Sequence, residues 1–349
     1  MNAPLQSTSD TLRSTLAALL EGLPPTQAAK AVERLIANYR GTTPTDAPIL
    51  RERADVVAYA AYRMPATFEA VRSALHALDA AADWRPAGHL DIGGGTGAAV
   101  WAARDVWPGE RTTTVVDWSQ PALDLGRELA ASQGDLANSV RWERGRVGAH
   151  DAPEADLVTV SYVLKELTEG DRAVVVDAAA RAATGAVVII EPGTPDGYAR
   201  VIEARDRLIA AGFHVAAPCP HSAACPIVPG TDWCHFSARV ARSSLHRQIK
   251  GGSLAYEDEK FAYVAATRFA PDPAASRVVR KPQLRKGQVL LDLCESRGAL
   301  TRITVTKRHG SAYREARKVE WGDAYSSPAG PSSPVGPSSP AGPSSPAGD

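Results

Sequence analysis

Two groups of residues in this 349-residue chain have types and spacings that could do chemistry. One is the run Asp91-Ile92-Gly93-Gly94-Gly95-Thr96-Gly97, and the other is the set of four cysteines, Cys219, Cys225, Cys234 and Cys294. The glycine run lies between a short apolar stretch, His89–Ile92, and the helical pattern beginning at Ala98. Glycines at such a junction let the backbone turn sharply and bring the next helix's N-terminus up to a ligand. Gly93-x-Gly95-x-x-Ala98 also fits a dinucleotide fingerprint, in which that N-terminus would hold a pyrophosphate. Asp91 favours S-adenosylmethionine, because a carboxylate is favourable beside its cationic amino-acid end and unfavourable beside a pyrophosphate, and the strand order implied by a seventh strand after the sixth settles the choice. Asp117, ending the next apolar stretch, is placed for ribose hydroxyls, which either cofactor presents. The expected cofactor-binding set is therefore Asp91, Gly93, Gly95, Gly97 and Asp117, with S-adenosylmethionine favoured. NAD and a non-binding relic of the loop remain the alternatives.

All four cysteines fall in the last two-fifths of the chain, so incidental use as core filler is disfavoured. The first 23 residues have neither a basic stretch leading into an apolar block nor the Arg-rich, acid-poor character of a transit peptide, which gives the expectation of a cytoplasmic protein. Structural disulfides are disfavoured there, and the thiols read as metal ligands. Zinc sites normally present pairs of cysteines two to four residues apart. The wider gaps here suit an iron–sulfur cluster, whose corners each take a sulfur from a different direction. Zinc and unliganded buried thiols stay open at this point.

The elements that must position these groups form an α/β pattern. Residues 1–85 read as a helical N-terminal cap with apolar spacings of three and four over 11–23, 26–39 and 54–78, punctuated by Pro44, Pro48 and Pro65. Residues 86–270 alternate short apolar runs with amphipathic stretches, the signature of a parallel sheet. Strands are expected at 89–92, 112–116, 140–143, 156–161, 186–190, 213–217 and 260–267. The last is the late strand that class I S-adenosylmethionine-dependent methyltransferases insert antiparallel near the sheet edge. The expected fold is thus a Rossmann-like, seven-stranded methyltransferase domain with a cysteine-rich insertion over 218–259 and a small β-rich extension over 271–322. Residues 323–349 end in a six-residue Ser-Ser-Pro-Ala/Val-Gly-Pro repeat too poor in apolar groups to offset chain entropy, and the expectation is a disordered tail.

Transfer from an activated sulfonium needs chiefly alignment of nucleophile and methyl group. The segment after the fourth expected strand, Ser161-Tyr162-Val163-Leu164-Lys165-Glu166-Leu167, lacks the Asn/Asp-Pro-Pro-Tyr motif of many N-methyltransferases, and no cysteine is close by for attack on a pyrimidine. Tyr162 and Glu166 are the catalytic candidates. A tyrosine or leucine at this spacing is more often core.

Charge balances overall at 39 basic and 39 acidic residues, yet residues 239–321 carry 18 Lys/Arg against 8 Asp/Glu. That excess suggests a polyanionic partner, with a solvated basic face as the bland alternative. Arg239, Arg242, His246, Arg247 and Lys250 recur at helical spacing and are the RNA-binding candidates. No stretch reaches the roughly 18 apolar residues of a membrane span.

Glu191-Pro192-Gly193-Thr194-Pro195, Ala217-Pro218-Cys219-Pro220-His221, Trp233-Cys234-His235-Phe236-Ser237, Arg242-Ser243-Ser244-Leu245-His246, Lys250-Gly251-Gly252 and Tyr256-Glu257-Asp258-Glu259-Lys260-Phe261 give the chain a specific signature. In these runs, and over about residues 30 to 321, it resembles the Rsm22 family of methyltransferase-like small ribosomal subunit factors. The resemblance implies a four-iron, four-sulfur ([4Fe–4S]) cluster on Cys219, Cys225, Cys234 and Cys294. It also implies association with the small ribosomal subunit or its rRNA during assembly. Mitochondrial members of that family work mainly as assembly factors, so the resemblance leaves three activities to compare. They are a methyltransferase acting on the small subunit, a non-catalytic RNA-binding assembly factor, and a small-molecule methyltransferase with a structural zinc site.

Overall fold

The computed structural model describes residues 7–20, 30, 32, 53–146, 152–228, 230–242 and 254–326. The repeat after Ser326, most of the expected helix over 26–39, and Pro44 and Pro48 lie outside the described residues. Of the expected disordered tail, Ala324 instead bridges to Arg277 and Tyr325 packs in the small core of the extension.

The chain opens with helices α1 (Thr8–Leu20) and α2 (Arg53–Asp79). Pro65, expected as a break, lies inside α2. A proline there removes one i→i−4 hydrogen bond. Burial of Met64 and Phe68 on either side, within a continuous apolar face of Val57, Ala60, Val71, Leu75 and Leu78, offsets that loss.

The α/β alternation follows as β1 (Gly88–Ile92), α3 (Ala98–Val106), β2 (Thr112–Asp117), α4 (Gln120–Ala131), α5 (Gly134–Ser139), β3 (Val140–Arg144), β4 (Ala155–Ser161), α6 (Glu169–Ala182), β5 (Ala183–Pro192), α7 (Pro195–Ala210), β6 (His214–Ala217), β7 (Phe236–Ala241) and β8 (Tyr256–Thr267). The sheet order is β3-β2-β1-β4-β5-β8-β6, with β7 paired to β8. Strands β1 to β5 pair in parallel, and β8 runs antiparallel to both β5 and β6. This is the class I methyltransferase sheet with one addition. β7, which the seven-strand expectation missed, pairs antiparallel with β8 from Phe236↔Phe261 to Ala241↔Tyr256.

Both faces of the sheet are covered. Along β5, Ala186, Val188 and Ile190 point into the core shared with α2, α3 and α4, while Val187 and Ile189 point into the core shared with α6 and α7. That period of two is the strand geometry expected of a sheet buried on both sides. Strand β8 carries the same burial from Phe261 to Thr267, whereas its first five residues are exposed or half-buried.

The extension is a four-stranded antiparallel sheet of β9 (Ser276–Val278), β10 (Gln283–Arg285), β11 (Gln288–Glu295) and β12 (Leu300–Thr306), followed by α8 (Ser311–Ala316). Val278, Val289, Leu291, Leu293, Val305 and Ala316 form its own small core. Buried Arg277 ties it to the main body, its Nε donating to the Pro218 carbonyl at 3.0 Å. No described helix is long and apolar enough to cross a membrane.

Phe261 is fully buried where β5, β7 and β8 meet. Phe261→Ala should cost about 3–5 kcal/mol in chemical denaturation. A loss below about 1 kcal/mol would show that this junction is not part of the core.

Candidate cofactor pocket and cysteine centre

The glycine loop lies at the carboxyl end of β1 and lines a cavity of about 290 Å³. Gly93, Gly95 and Gly97 all have positive φ, at 66°, 51° and 83°. A Cβ at Gly94 would fall on the Asp91 carboxylate, and one at Gly97 would lie 2.7 Å from the Trp142 ring. The loop's glycines are therefore required by backbone conformation and by close approach alike.

Asp91 is 1% exposed. Its Oδ1 accepts the Thr159 hydroxyl at 2.7 Å, and that hydroxyl stands 2.8 Å from His89 Nε2. Since Thr159 has spent its proton on Asp91, His89 Nε2–H is the donor of the second bond. Burial holds His89 neutral, pushing its pKa down to about 3. Burial also pushes Asp91 up to about 7, against the lowering effect of Thr159 and with a smaller push from Asp117. Asp91 Oδ2 is buried without a hydrogen-bond partner among the described residues, the kind of deficit a cationic ligand would remove. Asp117, at the end of β2, accepts the Gly95 N–H at 3.0 Å and the Ser119 N–H at 2.8 Å. Burial raises its pKa and these backbone donors oppose the rise.

Tyr162 lines the cavity and is tied to residues that the sequence leaves unconnected. Tyr162 follows β4 in a left-handed conformation, φ 61°, and its hydroxyl donates to Glu259 Oε1 at 3.0 Å. Arg63, from α2, grips both oxygens of Glu259 at 3.0 and 3.3 Å. Burial and the Glu259 charge push the Tyr162 phenol well above its ordinary value. Glu166 lines the same cavity from a short 3-10 turn, Leu164–Glu166. Fully buried Glu191 pins that turn, accepting the Leu164 N–H at 2.9 Å and the Arg200 Nε at 2.7 Å. Tyr59, Met64 and Thr67 of α2 also line the cavity, so the N-terminal region, which gave no sign of chemistry in sequence, forms one wall. Their apolar spacing reads as core, and no residue type there distinguishes a pocket wall from packing.

The four cysteines, 75 positions apart at the extremes, line one small cavity of about 30 Å³ together with Arg205, Tyr198 and Tyr263. All four are free thiols. Burial pushes the Cys219, Cys234 and Cys294 thiols up, Cys294 to about 12. Arg205 works against that rise at Cys219 and Cys294, and Arg277 at Cys219. Arg205 is itself buried, donates to the His221 and Ala223 carbonyls at 3.1 and 2.6 Å, and leaves Nε unpartnered among the described residues. His221 Nδ1 donates to the Ala223 carbonyl at 3.2 Å, so its Nε2 is free to accept the Cys294 thiol at 3.4 Å. Among the described residues no three His, Cys, Asp or Glu groups converge as they would on a single metal ion.

Of the basic candidates, His246, Arg247 and Lys250 lie outside the described residues. Arg239 sits on β7 and Arg242 just after it, so the helical spacing read in sequence does not hold at these two. The alternating burial of Phe236, Ala238 and Val240 imposes strand geometry instead. Both are engaged, Arg239 with Asp258 at 3.2 Å and Arg242 with Glu257 at 3.3 Å.

A family model described as mitochondrial small ribosomal subunit Rsm22 matches residues 53–326. The human mitochondrial ribosome assembly protein METTL17 is 30% identical over 285 residues, covering 76% of this chain and 61% of that protein. A mitochondrial Rsm22-cox11 tandem protein of Schizosaccharomyces pombe is 27% identical over 183 residues, covering 40% of this chain and 24% of its own length. The chain thus spans less than two thirds of either relative. Similar solved structures include a putative RNA methyltransferase from Pyrococcus horikoshii, at 17% identity and TM-score 0.40, covering 67% of this chain and 97% of that one. Another is magnesium protoporphyrin IX methyltransferase from Synechocystis, at 11% identity and TM-score 0.40, covering 77% and 100%. The family and both relatives are described as mitochondrial, which overturns the cytoplasmic expectation. The composition of the first 23 residues does not decide the compartment.

If S-adenosylhomocysteine sets its cationic amino-acid end against Asp91, whose carboxyl burial pushes up to about 7, its affinity should rise with pH through 6 to 8 and level off above. Below the pKa the gain should approach about tenfold per unit. Asp91→Asn should bind weakly and lose this pH dependence in calorimetry. An unchanged pH profile in Asp91→Asn would remove Asp91 from the ligand contact.

Proposed function

The chain belongs to the Rsm22 family, and from that premise we propose that it is a methyltransferase-like assembly factor for the small ribosomal subunit, binding S-adenosylmethionine and a [4Fe–4S] cluster. The observation that carries the reading is the family match across residues 53–326, in a chain that keeps both a complete glycine loop and four cysteines around one cavity.

The residues present fit both groups. Asp91 Oδ2 is a buried acceptor in need of a cation, Asp117 stands beside it for a ribose diol, and Gly93 and Gly95 keep the loop open to close approach. S-adenosylmethionine would supply an activated methyl group there. At the second cavity, Cys219, Cys225, Cys234 and Cys294 would be the cluster ligands. Four cysteines brought to one cavity from separate parts of the chain support a cluster that takes each sulfur from a different direction. Arg205 and Arg277 supply positive charge where thiolates must form, which favours the ligating state.

The same pocket favours cofactor binding without transfer. Glu259 is neutralised by the two-point grip of Arg63, and Tyr162 has committed its proton to Glu259, so neither is ready to serve as a base. The assembly role would then rest on binding.

Anaerobically prepared protein, incubated with radiolabelled S-adenosylmethionine and immature small subunits, should cosediment with the subunits and retain the cofactor. Label transferred to rRNA or protein would contradict the non-catalytic reading, and failure to cosediment would sink the assembly role. Glu259→Gln should weaken the Arg63 grip on this half-buried pair and lower stability by about 1–3 kcal/mol. An effect within about 0.5 kcal/mol would show that the pair does not hold α2 on the sheet.

A further inference from the structure

Between residues 281 and 318 the chain has ten Lys/Arg and three Asp/Glu. Two of the three acids are already engaged, Asp292 with Arg302 at 2.7 Å and Glu295 with Arg297 at 2.6 Å. The remaining cations are not scattered. The β10–β11 turn carries Arg285 and Lys286, and the segment after β12 carries Lys307 and Arg308. The two are joined at one end of the small sheet, where the Lys307 N–H donates to the Gly287 carbonyl at 3.1 Å and Gln288 pairs with Thr306. All four side chains are exposed, and none has an ion-pair partner among the described residues. The platform is stiff. Gly287 turns the β10–β11 hairpin at φ 78°, and the Lys307–His309 turn is closed by a capping box in which His309 Nδ1 accepts the Thr306 N–H at 2.9 Å. Arg314, Arg317 and Lys318, also exposed, extend the positive surface along α8 and beyond it.

We propose that this end of the small sheet, with Arg285, Lys286, Lys307 and Arg308 at its centre, docks the sugar-phosphate backbone of structured RNA. The proposal rests on the small-subunit reading above and names the surface that reading requires. Long exposed cations on a turn pair, without an ion-pair partner among the described residues, match a lattice of phosphates, and the remaining acid of the segment, Glu315, is on α8. Arg239 and Arg242 fit less well, because Asp258 and Glu257 already take them. A membrane surface fits less well too, since Leu284 is the one large apolar side chain exposed on this end among the described residues.

The test compares full-length wild type with two double variants, Arg285→Glu with Lys286→Glu and Lys307→Glu with Arg308→Glu. An Arg127→Glu with Arg141→Glu variant serves as control, its sites lying on α4 and β3 at the opposite edge of the large sheet. Affinity for transcribed small-subunit rRNA is measured across a salt series, with circular dichroism and cofactor affinity confirming the fold. Each test variant should bind about tenfold or more weakly at physiological salt, with a log–log salt slope shallower by roughly 2, one for each cation removed. The control should bind as wild type does. Wild-type binding with both test variants unaffected overturns this surface and leaves the small-subunit reading standing, whereas no binding by wild type overturns both. Loss of binding to phosphatidylserine vesicles with RNA affinity intact would also overturn it.

Discussion

The antiparallel strand β8 is the constraint on which both sites depend. Its first half pairs with β7 and its second half lies between β5 and β6, with Phe261 at the junction opposite both Pro192 and Phe236. This register aims Glu259 at Arg63 and Tyr162 on the cofactor side, and it anchors the strand that begins two residues after Cys234. A one-residue slip would exchange the faces of the whole strand. The alternation of half-buried Glu257 and Glu259 with exposed Tyr256, Asp258 and Lys260 opposes it. Trp233 adds a second tie, its Nε1–H donating at 3.0 Å to the carbonyl of Gly193, two residues from the Glu191 that pins the pocket turn.

The two cavities are electrostatic opposites. In the cofactor pocket a buried carboxylate, Asp91, is short of a hydrogen-bond donor, which suits a cationic ligand end. Around the cysteines, buried Arg205 and Arg277 lie among thiols, which suits an anionic centre. Burying such groups without their complement is costly. A ligand that supplied the missing complement at either cavity would add to folding stability.

The sheet and its helices were legible because the apolar runs alternate cleanly, and the Asp91–Gly97 loop was legible because its glycines are dictated by local backbone geometry. β7 was not, although Phe236, Ala238 and Val240 alternate with Ser237, Arg239 and Ala241. Its arginine, read together with later basic residues, suggested a helix face instead. Pro65 misled in the other direction, since tertiary burial carries α2 through it. The Arg63–Glu259–Tyr162 link could not be read locally, because Arg63 and Glu259 are 196 positions apart and meet only once β8 is in register. The cysteines gave their chemistry through residue type, but their convergence on one cavity depends on the small sheet bringing Cys294 back to the main body.

We propose that this Rsm22-family chain holds a polynuclear metal centre within its methyltransferase-like body. Elemental analysis of iron, acid-labile sulfide and zinc on anaerobically purified protein, beside a Cys225→Ser variant, tests it most directly. The account predicts brown wild-type protein with iron and sulfide in equal amounts, and a variant that loses both while remaining folded. Colourless wild-type protein carrying stoichiometric zinc and no iron would contradict it.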